Sequence, residues 1–333
     1  MRSSLHAVTW NRPKMTKKIS DFITNNVRTV AVVGHLRPDG DCIGSVTAVY
    51  RYLTELYPEL KVTPFLQPVQ DELLFLEDGV PIDETDGDDT AFDLCISVDA
   101  SEAYRIGAGK KAFENAKHTV AIDHHLSNPG FAEYNVIEPQ ASSSCEVLCS
   151  MMEMDKVSYK TAVSLYTGII HDSGVFRFSC TGENTLKWAS MLIAKGIPFT
   201  KIIEESFVIQ KRELMLFTAD VVTHACLFED DRVLIGAASL EMQEEYGPSV
   251  MDIGGVVATL NKTKEADISV FFYELAEGEW KGSLRTRSDV NVALIAKRFH
   301  GGGHEKAAGF DWTGDLQEGI DAILRVIREV RSK

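Results

Sequence analysis

Residues 29–41 read Thr-Val-Ala-Val-Val-Gly-His-Leu-Arg-Pro-Asp-Gly-Asp, and their pattern decides the fold. Thr29–Gly34 is short, apolar and β-branched and stops at a glycine, so it reads as a buried strand. Helical apolar spacing follows from Cys42 to Tyr57 and ends before Pro58. The alternation continues outward from there. Lys61–Leu66, Leu94–Val98 and Thr119–Ile122 read as strands, with a polar helix near Ala108–Ala116 and helices over Cys145–Met154 and Ser158–Ile170. That order predicts an α/β fold with a mainly parallel sheet covered on both faces. Ligands of such sheets bind at the carboxyl ends of the strands, where this chain's acidic motifs fall.

Past Asn184 the texture changes. A helix-rich stretch runs to about Cys226, and Lys211–Ala225 could be a long connecting helix. Arg232–Ala238, Asp267–Leu275 and Trp280–Thr286 read as antiparallel strands, with helices over Ser249–Leu260, Val290–Phe299 and Leu316–Val330. The expected division is 15–205, a connector over 206–226, and a smaller α/β domain over 227–333. The length of 333 residues suits about two domains.

Composition narrows the function. Hydrophobic residues are 44% and charged residues 25%, the balance of a globular protein rather than a fibre or a disordered chain. Residues 1–14 read as a loose extension before Met15, without the apolar core of a secretory signal, and no stretch suits a bilayer span. Formal net charge is −15, which argues against a broad basic face for long nucleic acid. Six cysteines are too few for a disulfide scaffold and sit mostly among apolar neighbours, so a reduced cytoplasmic protein is expected.

Four clusters carry the chemistry. The first is His35-Leu-Arg-Pro-Asp39-Gly-Asp41; read alone, it is a polar loop with Asp41 capping the next helix. The second is Asp99 after Leu94–Val98. The third is Asp123-His124-His125, two imidazoles behind a carboxylate at a strand end. The fourth is His171-Asp172-Ser173-Gly174 at a helix end, where a carboxylate opposes the helix dipole. Gathered in space, so many carboxylates would repel one another, and divalent cations would relieve them. Mixed oxygen and imidazole ligation suits manganese, and paired metals serve phosphoester hydrolysis. No phosphate-binding P-loop or nucleophile elbow is present.

The order HLRPDGD, VDAS, IDHH, HDSG resembles the four motifs of the DHH phosphoesterases. Phe299–Gly309, with Gly301-Gly-Gly-His304, is similar to the signature of that family's associated C-terminal domain. Four motifs in order with a matching second domain, over most of Met15–Lys333, make the resemblance specific. The two-domain length is similar to the nanoRNase branch rather than the larger RecJ branch. The resemblance implies roles by position. His35, Asp39 and Asp99 would hold one metal; Asp41, Asp99, His124 and Asp172 would hold the other, with Asp99 bridging. Asp123 would orient ligands and His125 would contact the scissile phosphate. One departure is His300, where many relatives have a further glycine. Arg105 and Ser142–Ser144 match the family pattern without an assigned role.

The second domain would choose the substrate, in a cleft with the first. Between Lys281 and Lys306 lie six basic residues against two acidic ones, a basic island in an acidic chain. Arg285, Gly302, Gly303 and His304 are the expected contacts for a substrate phosphate or end group. The expected activity is manganese-dependent hydrolysis of RNA of two to about five nucleotides, with phosphatase action on 3′-phosphoadenosine-5′-phosphate (pAp). Rivals are hydrolysis of cyclic or linear dinucleotides, an inorganic pyrophosphatase, against which Gly301–His304 counts, and a non-enzymatic nucleotide-binding module. No long duplex and no membrane is expected as a partner, and a homodimer is one option the sequence leaves open.

Overall fold

The computed structural model describes residues 17–88, 91–230, 232–247 and 253–331. The loose extension read over 1–14 and the helix start at 249–252 lie outside them. The chain forms two compact units, the first ending at Ile209 and the second beginning at Gln210.

In the first unit five parallel strands follow the order β2-β1-β3-β4-β5. They are β1 Thr29–Val33, β2 Lys61–Phe65, β3 Leu94–Val98, β4 Thr119–Asp123 and β5 Tyr134–Ile137. All five residues of β3 are buried, as expected for a central strand with helices on both faces. Pro64 sits in β2, an edge strand, where its missing N–H costs no ladder bond.

Helices α1 Gly40–Leu56, α2 Lys110–Asn115, α3 Ser144–Met151, α4 Tyr159–Asp172, α5 Glu183–Ile193 and α6 Phe199–Ile203 complete the unit. The contact between α1 and α4 is unusually intimate. A Cβ on Gly44 would lie 2.6 Å from the Ser164 carbonyl oxygen, and one on Gly168 would lie 2.3 Å from Cys145 Sγ and 2.6 Å from Asp41 Oδ1. Side chains at these two positions would push the helices apart and displace Asp41.

The second unit holds a six-stranded mixed sheet, order β10-β11-β9-β8-β7-β6. Its strands are β6 Cys226–Phe228, β7 Val233–Ala238, β8 Ile268–Ala276, β9 Glu279–Thr286, β10 Gly302–His304 and β11 Ala307–Thr313. Its helices are α7 Arg212–His224, α8 Leu240–Tyr246, α9 Val256–Leu260, α10 Val292–Ala296 and α11 Leu316–Arg331. The expectation of antiparallel strands holds for β8 and β9 but not for β7 and β8, which run parallel. The long connection containing α8 and α9 permits this, since parallel strands need a crossover rather than a hairpin. Segment 206–226, read as a connector, contributes Phe217 and Val221 of α7 to the core of this unit, against Leu234 and Phe271. The glycine run is an edge strand rather than a free turn: Gly302 pairs with Gly309 and His304 with Ala307.

Candidate metal centre

Asp39 is the N-cap of α1: its Oδ1 accepts from the backbone N–H of Asp41 and of Cys42, both at 3.1 Å. The cap is therefore Asp39, not Asp41 as the loop read alone suggested, because the helix starts at Gly40. Asp41, the second residue of the helix, is fully buried. Its carboxylate accepts from the first amides of α3, Ser144 N at 2.6 Å and Cys145 N at 3.0 Å. A helix N-terminus is a favourable seat for a buried carboxylate. Even so, burial, with Asp99 and Asp172 nearby, holds Asp41 well above the usual carboxylate range.

Asp99 stands at the centre. It follows β3 with a left-handed backbone, φ 57°, and its side chain is 2% exposed. His35 Nε2 lies 3.5 Å from its Oδ2, while His124 Nε2 and His125 Nδ1 lie 3.7 and 3.8 Å from its Oδ1. Ser144 Oγ donates to Asp99 Oδ1 at 2.9 Å. The His35 ring is oriented by the Leu36 carbonyl, 2.9 Å from Nδ1, so Nδ1 carries the proton and Nε2 turns to Asp99 and Asp39.

Asp172, the last residue of α4, brings Oδ2 to 3.1 Å from His124 Nε2. Burial pushes Asp172 up to about 6, with His124 pulling against it. Burial opposes charge on His124, but the carboxylates of Asp172, Asp99 and Asp41 lift it to about 10. Asp123 sits beneath this layer. Its carboxylate accepts from the backbone N–H of His124 at 2.8 Å and from Asn128 Nδ2 at 2.7 Å and pairs with His125 Nδ1 at 2.7 Å, fixing the His124 main chain and the His125 ring.

The structure thus gathers Asp41, Asp99, Asp123, His124, His125, Asp172 and His35 into overlapping sets of three or four donor atoms within 4.8 Å of one another. Asp39 is in none of these sets among the described residues and joins only through His35, at 3.6 Å. His124 Nε2 is buried without a hydrogen bond, and burial raises both Asp41 and Asp172 above the usual carboxylate range. A divalent cation fits such a donor set, satisfying the orphaned nitrogen and relieving the carboxylates.

Sequence reasoning missed several parts. Cys42, read as an apolar packing thiol, lies with His35 and Asp99 in one of the three sets, and Cys180 and Cys226 are exposed. Ser144, Cys145 and Asn128 hold the carboxylates. The serine run before an apolar helix was a signal for the first two, since it marks a helix start. Arg105 acts through its main chain: its carbonyl accepts from Leu36 N at 2.7 Å, pinning the His35 loop. His171 turns away, its Nε2 3.1 Å from Ser206 Oγ.

The proposed substrate residues lie in the second unit. Arg285 of β9, Ala307 of β11 and His304 of β10 pair laterally, so their side chains share a sheet face. Arg285 is half-buried and donates to the Leu284 carbonyl at 2.9 Å. A Cβ on Gly303, at φ +142°, would meet the Ala307 carbonyl oxygen at 2.5 Å, whereas Gly302 faces open space.

Residues 29–169 match the DHH family, N-terminal domain, and residues 234–333 match the DHHA1 domain. A bifunctional oligoribonuclease and PAP phosphatase NrnA from Thermus thermophilus is 26% identical over 96% of this chain and 94% of its own length. A cyclic-di-AMP phosphodiesterase GdpP from Bacillus subtilis is 28% identical over 74% of this chain and 37% of its own length. An exopolyphosphatase-related protein from Bacteroides fragilis superposes with a TM-score of 0.82 at 23% identity, covering 91% of this chain and 92% of that one; this likeness concerns the fold. Among the described residues no helix is long and apolar enough to cross a membrane.

Proposed function

The chain is a DHH-family protein with a DHHA1 domain behind the first, and on that premise we propose that it is a metal-dependent phosphoesterase. Its substrates are RNA of two to about five nucleotides, cleaved to mononucleotides, and pAp, from which it removes a phosphate. The observation that carries this reading is Asp99, a buried carboxylate within 3.8 Å of three imidazoles. A relative named for both activities spans nearly the whole chain and supports the substrate class.

Two manganese ions suit the donors: His35, Asp39 and Asp99 for one, and Asp41, Asp99, His124 and Asp172 for the other. Such ions stabilise charge on phosphoryl oxygens and lower the pKa of a bound water. The protein supplies the rest. Asp123 fixes His125 through its Nδ1, and the neighbouring carboxylates raise His125 against the burial that lowers it. That favours the charged imidazole where the scissile phosphate would approach. Arg285, Gly302, Gly303 and His304 hold the far end of a short substrate. In this reading 15–205 performs the chemistry and 227–333, joined to it through 206–226, selects the substrate. All six cysteines are free thiols, which suits the cytoplasm.

A second reading, hydrolysis of cyclic or linear dinucleotides, is favoured by the similarity to GdpP. One assay separates them: product analysis with manganese on pAp, pApA, a five-nucleotide RNA and cyclic di-AMP. The proposal requires turnover of the RNA and pAp; turnover of cyclic di-AMP alone would establish the second reading.

A further inference from the structure

The first unit contains a second concavity that shares no residue with the metal centre. It has a volume of about 210 Å³ and lies among the segment Asp71–Glu77, the first turn of α4, and α6. Arg51 lines it and is 6% exposed. Its guanidinium donates to Ser164 Oγ at 2.6 Å and to the carbonyls of Leu76 and Asp78 at 2.8 and 2.9 Å. These acceptors are neutral. The carboxylate of Asp78 is taken by Lys160 at 2.7 Å, and the other carboxylate of the wall, Glu205, pairs with Lys201 at 3.8 Å. The two rim pairs cancel, so the lining residues carry a net charge of +1, that of the buried Arg51, which the carboxylates of Asp78 and Glu55 attract without accepting a hydrogen bond from it.

A buried cation whose hydrogen-bond acceptors are all neutral is costly, and an anion that meets it directly offsets that cost. Burial holds Arg51 below the usual arginine pKa, in keeping with that cost. The start of α4 adds a favourable dipole, since Tyr159 and Lys160 are its first two residues. The remaining wall is apolar and aromatic. Phe75 and Tyr159 are 36% and 51% exposed, and Ile202 lies with them in the lining. Flat rings beside a cation are the chemistry that recognises a planar body carrying negative charge. The volume is below the roughly 300–1,000 Å³ of sites for drug-sized ligands, so the part enclosed is small.

We infer that this cavity binds a small planar anion, a ring bearing a phosphate or a carboxylate, independently of the metal centre. The inference does not rest on the phosphoesterase reading. It is tested on the full-length, metal-loaded protein by methyl NMR of isoleucine, with Ile202 as the local reporter. Salicylate, adenosine 5′-monophosphate and inorganic phosphate are titrated separately. The Ile202 signal should shift saturably with at least one ring-bearing anion, at least about tenfold more tightly than with phosphate. Whichever of the two binds better identifies a carboxylate or a phosphate ligand. Arg51→Met and Tyr159→Ala should each weaken that binding roughly tenfold, the worth of one charge-assisted contact. If Arg51→Met does not fold, Tyr159→Ala decides alone. An Ile202 signal unmoved by both ring-bearing anions, equal binding of plain phosphate, or binding that Tyr159→Ala leaves unchanged overturns the inference.

Discussion

Ser144 Oγ donates a hydrogen bond to Asp99 Oδ1 at 2.9 Å, and both residues are buried. The same serine gives its backbone N–H to Asp41 at 2.6 Å, so one residue at the start of α3 holds two carboxylates from different strand ends. Ser144→Ala removes only the hydroxyl. Hydrogen bonds to charged groups contribute about 1.5–3 kcal/mol, and partners that orient metal ligands typically matter 10–100-fold in affinity, so manganese affinity should fall by about tenfold or more. The backbone contact to Asp41 survives and the fold should hold. Competition titration against a chelator reads the affinity; an unchanged value would show that the hydroxyl does not orient Asp99.

Asp99→Ala should be the most damaging ligand change, because this carboxylate lies closest to three imidazoles. Elemental analysis should show loss of bound metal along with rate, and retention of two tightly bound ions would contradict a bridging role. His125→Ala should behave differently. It should keep its metal and lose turnover by roughly 10²-fold or more, the scale of a positioned proton-bearing group. A metal-free His125→Ala protein would make His125 a ligand.

Arg285→Ala should raise the Michaelis constant for RNA of two to four nucleotides by about ten- to a hundredfold, the value of one charge-assisted contact. Hydrolysis of bis(p-nitrophenyl) phosphate, which has no far end to hold, should fall much less, and metal content should not change. Equal losses on both substrates would mean that Arg285 supports the fold or the metal centre.

The metal-free protein should lose stability as pH rises above neutrality. His124 is lifted from 6.5 to about 10, and His125 is raised as well. Between about 6.5 and about 10 the native state therefore binds more protons than the unfolded chain, so unfolding free energy falls with pH across that window. His171, lowered to about 4 by burial, opposes the trend only near pH 6.5, where its imidazole still titrates in the unfolded chain, and drops out about one pH unit above that. Bound metal would keep the ligand imidazole of His124 deprotonated, so the profile should flatten with manganese. Melting temperatures from pH 6.5 to 9.5, with chelator and with manganese, check this; a flat profile in chelator would refute it.

What was legible in the sequence was local. A β-branched run that ends in acidic residues announces a strand whose carboxyl end does chemistry, and this occurs at Thr29–Gly34, Leu94–Val98 and Thr119–Ile122. What was not legible depends on distant parts meeting. Nothing near Asp41 says that the amides of Ser144 and Cys145 will receive it. Nothing in Val233–Ala238 gives its direction relative to Ile268–Ala276, because the intervening crossover decides that. His171 and Asp172 are neighbours on one helix, yet adjacent helical side chains point about 100° apart, so only the carboxylate reaches the cluster.

The close approach at Gly44 and Gly168 has a consequence for how this protein can vary. Helix α1 carries Asp39 and Asp41 at its start, and α4 carries Asp172 at its end. One crossing point therefore works as a ruler between the two acidic ends. A single methyl group there would lengthen the ruler. Two residues with no side chain, neither able to touch a metal or a substrate, constrain the spacing of groups that would. Substitutions at Gly44 and Gly168 should accordingly be as poorly tolerated as those at the acidic residues themselves, for a reason of reach rather than reactivity.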